Sequence, residues 1–157
     1  MTRALDLNAP VDTLAMEFTR EFDAPVALLF RAHAEADLFR TWVGPRGLEM
    51  TIQRWDFATG GGYRYVHADD SGSYAFTGVF HTVRDGELII QTFEFDGAPD
   101  SVNIEYLWFE ALGPGRSRLR GRSICPTLAA RDGLLNSGME GGMAQGYEKL
   151  DELLTRL

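Results

Sequence analysis

Cysteine is nearly missing from this chain. Its 157 residues hold one, Cys125, which rules out a disulfide framework within the chain and suits a reducing compartment, with the cytoplasm as the default. Histidine is scarce too. His33, His67 and His81 lie far apart, and no cluster of His, Cys and carboxylate residues has metal-ligand spacing, so no metal is expected. Long apolar runs are absent: no window approaches the roughly eighteen residues that a membrane span needs. Asp6, Asn8 and Pro10 interrupt the N-terminus where a signal peptide would be apolar. Positive charge is in deficit, with 15 Lys and Arg against 23 Asp and Glu. The net charge of −8 would repel nucleic acid and anionic membrane alike. The one basic stripe, Arg116, Arg118, Arg120 and Arg122, alternates along a strand and reads as a solvated face paired with acids. Gly60-Gly-Gly62 lacks the Lys-Ser/Thr of a phosphate loop and opens a strand, and no Gly-x-Ser-x-Gly elbow occurs, so neither a cofactor nor a nucleophile is indicated.

What the chain does have is an ordinary globular composition, 45% hydrophobic and 24% charged, enough to bury a core as one domain over residues 13–157 behind an N-terminal arm, 1–12. Its last thirty residues carry the plainest signal. With Met139 at zero on a wheel of 3.6 residues per turn, Leu135, Gly142, Met143, Gly146, Tyr147, Leu150, Leu153, Leu154 and Leu157 share an arc of roughly 140°. That is a C-terminal helix with one buried face. Ser137 and Glu140 have capping-box spacing, so the helix is expected to start afresh there, leaving Leu128–Asn136 as a short separate one. Four glycines inside the segment each cost about 1 kcal/mol against Ala. Gly142 and Gly146 fall on the apolar face, either for close packing on a sheet or, with Met139 and Met143, to border a cavity.

Upstream, residues from Leu14 to Phe22 alternate as a half-buried strand, with Met16, Phe18, Arg20 and Phe22 on one side. Asp23 is placed to cap a helix that has Pro25 in its first turn, and a second short helix follows before Trp42-Val-Gly-Pro45 ends the helical section. From Leu48 to Ile124 six further strands are separated by short turns such as Asp85-Gly86 and Gly113-Pro-Gly115. The expectation is an α+β fold. A seven-stranded curved antiparallel sheet grips the long C-terminal helix, with two short helices between strands one and two. Its aromatic load, from Trp55 to Phe109, exceeds what one glycine-bearing helix needs as a lid, which implies an incompletely filled interior.

Arg20-Glu-Phe-Asp-Ala-Pro25, Trp42-Val-Gly-Pro45, the stretch Trp55 to Tyr65, Gly78-Val-Phe-His81 and Ser137-Gly-Met-Glu-Gly-Gly-Met143 occur in an order that resembles one known family. It is the bacterial family of homologues of the activator of the heat-shock-protein-90 ATPase, in the START-like, or SRPBCC, superfamily. The resemblance runs from about Leu14 to Leu157. It implies a helix-grip fold with a hydrophobic pocket between sheet and helix, and it supplies no fixed catalytic residues.

A small hydrophobic or aromatic molecule is therefore the expected partner. Its expected contacts are Trp42, Tyr65, Phe76, Phe80, Phe93, Tyr106, Trp108, Met139, Met143 and Tyr147. A homodimer is compatible with the sequence. The alternatives are an enzyme resembling polyketide cyclases or dehydratases and a stress-related interaction module. The enzyme needs an inward ionisable group, and Glu105, His81 and Arg20 are the candidates, with strand register deciding between inward and outward.

Overall fold

The computed structural model describes residues 4–157, so the first three residues of the expected arm lie outside the described residues. The chain runs β1 (Asp6–Asn8), β2 (Ala15–Phe22), α1 (Val26–Ala34), α2 (Ala36–Trp42), β3 (Glu49–Asp56) and β4 (Gly62–Asp69). It continues through β5 (Gly72–Arg84), β6 (Leu88–Phe95), β7 (Asn103–Gly113), β8 (Arg116–Ile124), α3 (Leu128–Leu135) and α4 (Met139–Leu154). Among the described residues the strands form one curved antiparallel sheet in the order β1-β2-β8-β7-β6-β5-β4-β3. The sheet has eight strands, not seven. The extra one lies inside the expected arm, where Asp6, Leu7 and Asn8 pair with Thr19, Phe18 and Glu17. Three residues are too few for an alternation to register in sequence.

Because β2 pairs with β8 while β3 forms the opposite edge, α1 and α2 carry the chain across the concave face. Phe22, Leu29, Ile89, Leu119 and Leu150 are fully buried there, so sheet, small helices and α4 share one core. The convex face holds the arginine stripe. Arg116 pairs with Glu21, Arg118 and Arg120 pair with Glu110, and Arg122 pairs with Glu17, as the alternation implied.

Helix ends differ from expectation in two places. α1 begins at Val26 with Pro25, not Asp23, as its N-cap residue. The Ser137–Glu140 capping box does not form: Ser137 Oγ donates to the Leu134 carbonyl at 2.6 Å and so closes α3. Gly138 then takes the N-cap of α4 at φ 85°, a left-handed geometry that favours glycine. Breaking the segment there turns α4 so that Gly146, Tyr147, Leu150, Leu153 and Leu154 are buried. Gly146 does pack closely, but onto a loop and not onto the sheet. A methyl group there would stand 3.1 Å from the Trp42 carbonyl oxygen and 3.3 Å from the Gly44 nitrogen, and one at Gly142 would meet Pro45 at 3.6 Å. The glycines on the apolar face of α4 thus fit Trp42-Val-Gly-Pro45 beneath the helix.

Candidate functional site

Strand register decides which side chains face α4. Phe109 meets the Phe30 and His33 rings at 4.9 and 5.0 Å, which fixes the inner side of β7. Two-residue periodicity then turns Leu107, Glu105 and Asn103 inward and Trp108, Tyr106 and Ile104 outward. Tyr106 and Trp108 therefore leave the expected binding set. They stack on each other at 5.6 Å on the convex face, where the Arg120 guanidinium lies 4.7 Å from the Trp108 ring centre. β7 carries large apolar side chains on both faces, so its sequence gave no sign of which set turned in.

The remaining expected contacts separate into two groups. Trp42, Phe80 and Tyr147 are buried in the core. Trp42 stacks on Tyr147 at 5.7 Å and donates from Nε1 to the Ala32 carbonyl, and Phe80 packs between Trp55, Phe57 and Tyr63. Around them Trp55 Nε1 reaches the Ala34 carbonyl at 2.8 Å, and the Leu29 carbonyl accepts from His33 Nδ1. This end, beneath α1 and α2, is closed. At the other end Phe76 stacks on Tyr65, Phe93 and Phe95 at 5.2, 5.3 and 5.3 Å. Phe76, Phe93 and Phe95 are only half-buried, as are Met139 and Met143 in the first turns of α4. Phe76, Phe93 and Phe95 thus form one wall that solvent reaches, with the buried Tyr65 packed on Phe76.

Beside that wall three polar residues line up across the strands. Gln91 pairs with Glu105, Glu105 with Ser123, and Ser123 with Met16, all on the inner face. Gln91 Nε2 donates to Glu105 Oε1 at 2.9 Å. Burial pushes the Glu105 carboxyl above its ordinary value of 4.5, and the Gln91 hydrogen bond only partly offsets this. Ser123 Oγ is shielded from water and has no partner. Glu105 was identified in sequence subject to register, and register turns it inward; Gln91 and Ser123 were missed, because only strand pairing places them beside it.

The other acid–base candidates serve elsewhere. His81 is exposed and bonds its neighbour Thr82 at 2.8 Å. Arg20 is only 2% exposed, yet it is held by Asp151 of α4 through two bonds of 2.7 and 2.8 Å. It is a structural clamp between β2 and α4. Burial raises the Cys125 thiol, and so does the charge of Glu105. His67 is buried with Nε2 3.2 Å from the Val43 carbonyl oxygen, and burial lowers its pKa. Two surface hollows lie away from the aromatic wall. One of about 460 Å³ is lined by Arg40, Gly47, Leu48, Glu49 and Met50. The other, of about 220 Å³, lies by Trp108 and Arg122 on the convex face. Neither is the sheet–helix cavity that the sequence led us to expect.

The profile of the family described as Activator of Hsp90 ATPase homolog 1-like protein matches residues 23–155. The chain belongs to this family. Solved structures have a similar fold. A protein from Rhodobacter sphaeroides superposes with a TM-score of 0.88 at 24% identity, over 98% of this chain and 100% of that one. One from Arthrobacter aurescens gives 0.87 at 21% identity, covering 97% and 92% respectively. One from Mycobacterium smegmatis gives 0.86 at 22%, covering 96% and 97%. At these identities the likeness shows the shared helix-grip fold. No curated protein matches the chain. Among the described residues, no helix is long and apolar enough to cross a membrane.

Proposed function

We propose that this protein binds a small apolar or aromatic molecule against Tyr65, Phe76 and Phe93. Met139 and Met143 close over it, and Glu105 and Gln91 meet its polar group. The reading rests on one observation: the Phe76–Phe93–Phe95 stack is half-buried and sits on the inner face, beside an inward carboxyl group. Half-exposed aromatic rings gain by covering, and a ligand supplies the missing contacts. Flexible methionines accommodate a range of shapes. The test is a thermal-shift screen of aromatic and apolar compounds on wild type and Phe93→Ala, with native mass spectrometry for any retained molecule. Compounds that raise Tm in wild type and not in Phe93→Ala support the reading. A screen without a shift, on protein that carries no retained molecule, would sink it.

Glu105 favours a second reading, catalysis of the polyketide cyclase or dehydratase kind. A carboxyl group with a raised pKa stays protonated to higher pH and can pass a proton to a bound substrate. Turnover of any bound compound should then vanish in Glu105→Gln while its binding persists. Equal turnover in both would remove Glu105 from the chemistry.

A further inference from the structure

Glu105 is an inward-facing, half-buried acid. Among the described residues no Lys, Arg or His lies within ion-pair distance of it, and its one hydrogen bond, from Gln91, is to Oε1, which leaves Oε2 free. The titratable groups that feel its charge are Tyr63 and Tyr65 on β4, Tyr147 on α4 and Cys125 after β8. Burial raises the pKa of all four, so they are neutral near pH 7 and none offers a cation. Arg20, the buried guanidinium on the same face, is committed to Asp151 and to the Glu21 carbonyl.

Around this acid stand a hydroxyl and a set of rings. Ser123 Oγ, directly across the strand pair, is shielded and unpartnered. Ser117 Oγ shares that lack, but its residue is sealed at 0% exposure, whereas Ser123 and Glu105 are half-buried. Phe93 is two residues along β6 from Gln91 on the same face, and its ring is stacked on Phe76. A ring face attracts a cation, and a carboxylate removed from water gains far more from an opposite charge than from a neutral donor.

We infer that the ligand is a small primary amine, held as its ammonium ion between Glu105 and Ser123 with its apolar body on Phe93 and Phe76. This inference rests on the apolar-ligand reading above and narrows it. An ammonium group carries three donors. One meets the free Oε2 of Glu105, one meets Ser123 Oγ, and the charge answers the uncompensated carboxylate. A neutral alcohol of the same shape would fill the hydrogen bonds and leave the charge. A carboxylate would be repelled.

Isothermal titration of the full chain with benzylamine, benzyl alcohol and benzoate tests this, using wild type, Glu105→Gln and Ser123→Ala. Wild type should bind benzylamine at least about tenfold tighter than benzyl alcohol, the scale of one desolvated charge pair, with benzoate weakest. Glu105→Gln should erase that preference by weakening benzylamine far more than benzyl alcohol, while Ser123→Ala should keep the fold and weaken benzylamine more than benzyl alcohol. Benzyl alcohol binding as tightly as benzylamine in wild type, or a preference that survives Glu105→Gln, would overturn the amine and leave the apolar-ligand reading standing. Binding of none of the three would overturn the amine, while the apolar-ligand reading falls only with the wider screen above.

Discussion

The two ends of the concave face each hold an ionisable group that burial pushes toward its neutral form, one sealed and the other half-exposed. Under α1 and α2, His33 lies against the Trp42 and Phe109 rings and donates to the Leu29 carbonyl, and burial drives its pKa down to about 4. Toward the other end Glu105 faces inward with one amide donor and, among the described residues, no counter-charge, and burial drives its pKa up. Desolvation favours the neutral form in both cases. The difference is access. His33 is 5% exposed inside a closed aromatic cluster, so its desolvation serves packing alone. Glu105 keeps a solvent path beside half-buried rings, so its desolvation is available to a ligand. Stability is concentrated at the first end and recognition at the second.

The largest expected effect is at the closed end. Trp42→Ala should cost about 3–5 kcal/mol in urea denaturation, since it removes a buried indole that stacks on Tyr147 and leaves the Ala32 carbonyl without its donor. A loss below about 1 kcal/mol would mean that this end is not where the stability lies.

Next comes acid. Between pH 6.5 and about 4 an unfolded His33 takes up a proton that the folded one refuses, so stability falls as pH falls through that window. The loss amounts to about 3 kcal/mol, and His33→Gln should flatten the slope in a pH series of denaturation midpoints. An unchanged slope in the variant would place the acid sensitivity elsewhere.

The smallest effect belongs to Glu105 and has the opposite sign. Its folded pKa is raised, so its contribution is fully present below the ordinary 4.5 and is lost as pH climbs from there through the raised value. Glu105→Gln should therefore be as stable as wild type or more so at neutral pH, without that downward trend. A variant clearly less stable than wild type at neutral pH would mean that Glu105 is a structural anchor like Arg20, and the contrast between the two ends would collapse.

How much of this was legible in the sequence depends on the strand. On β2 the alternation put Met16, Phe18, Arg20 and Phe22 on one side, and strand pairing turns that side inward. The bare pattern was sufficient there because the opposite side, Ala15, Glu17, Thr19 and Glu21, is largely polar. On β7 both faces are apolar or aromatic, so Tyr106 and Trp108 could be placed inside as readily as Glu105 and Leu107. Pairing with β8 settles it, because Trp108 opposite Arg120 must share the face of the arginine stripe. The Gln91–Glu105–Ser123 row was invisible for a related reason: its members are fourteen and eighteen positions apart and become neighbours only through strand pairing.

Composition and periodicity by themselves determined the class of fold, the amphipathic C-terminal helix, the two small helices and the acidic, single-cysteine character of the chain. Those properties follow from local spacing and from totals, which need no partner to be expressed. The tertiary structure alone decided which glycine meets which backbone, which aromatic rings are sealed and which stay open, and that Glu105 turns inward with no cation beside it among the described residues. Each of these depends on residues distant in the chain arriving at one place, and only the assembled sheet brings them there.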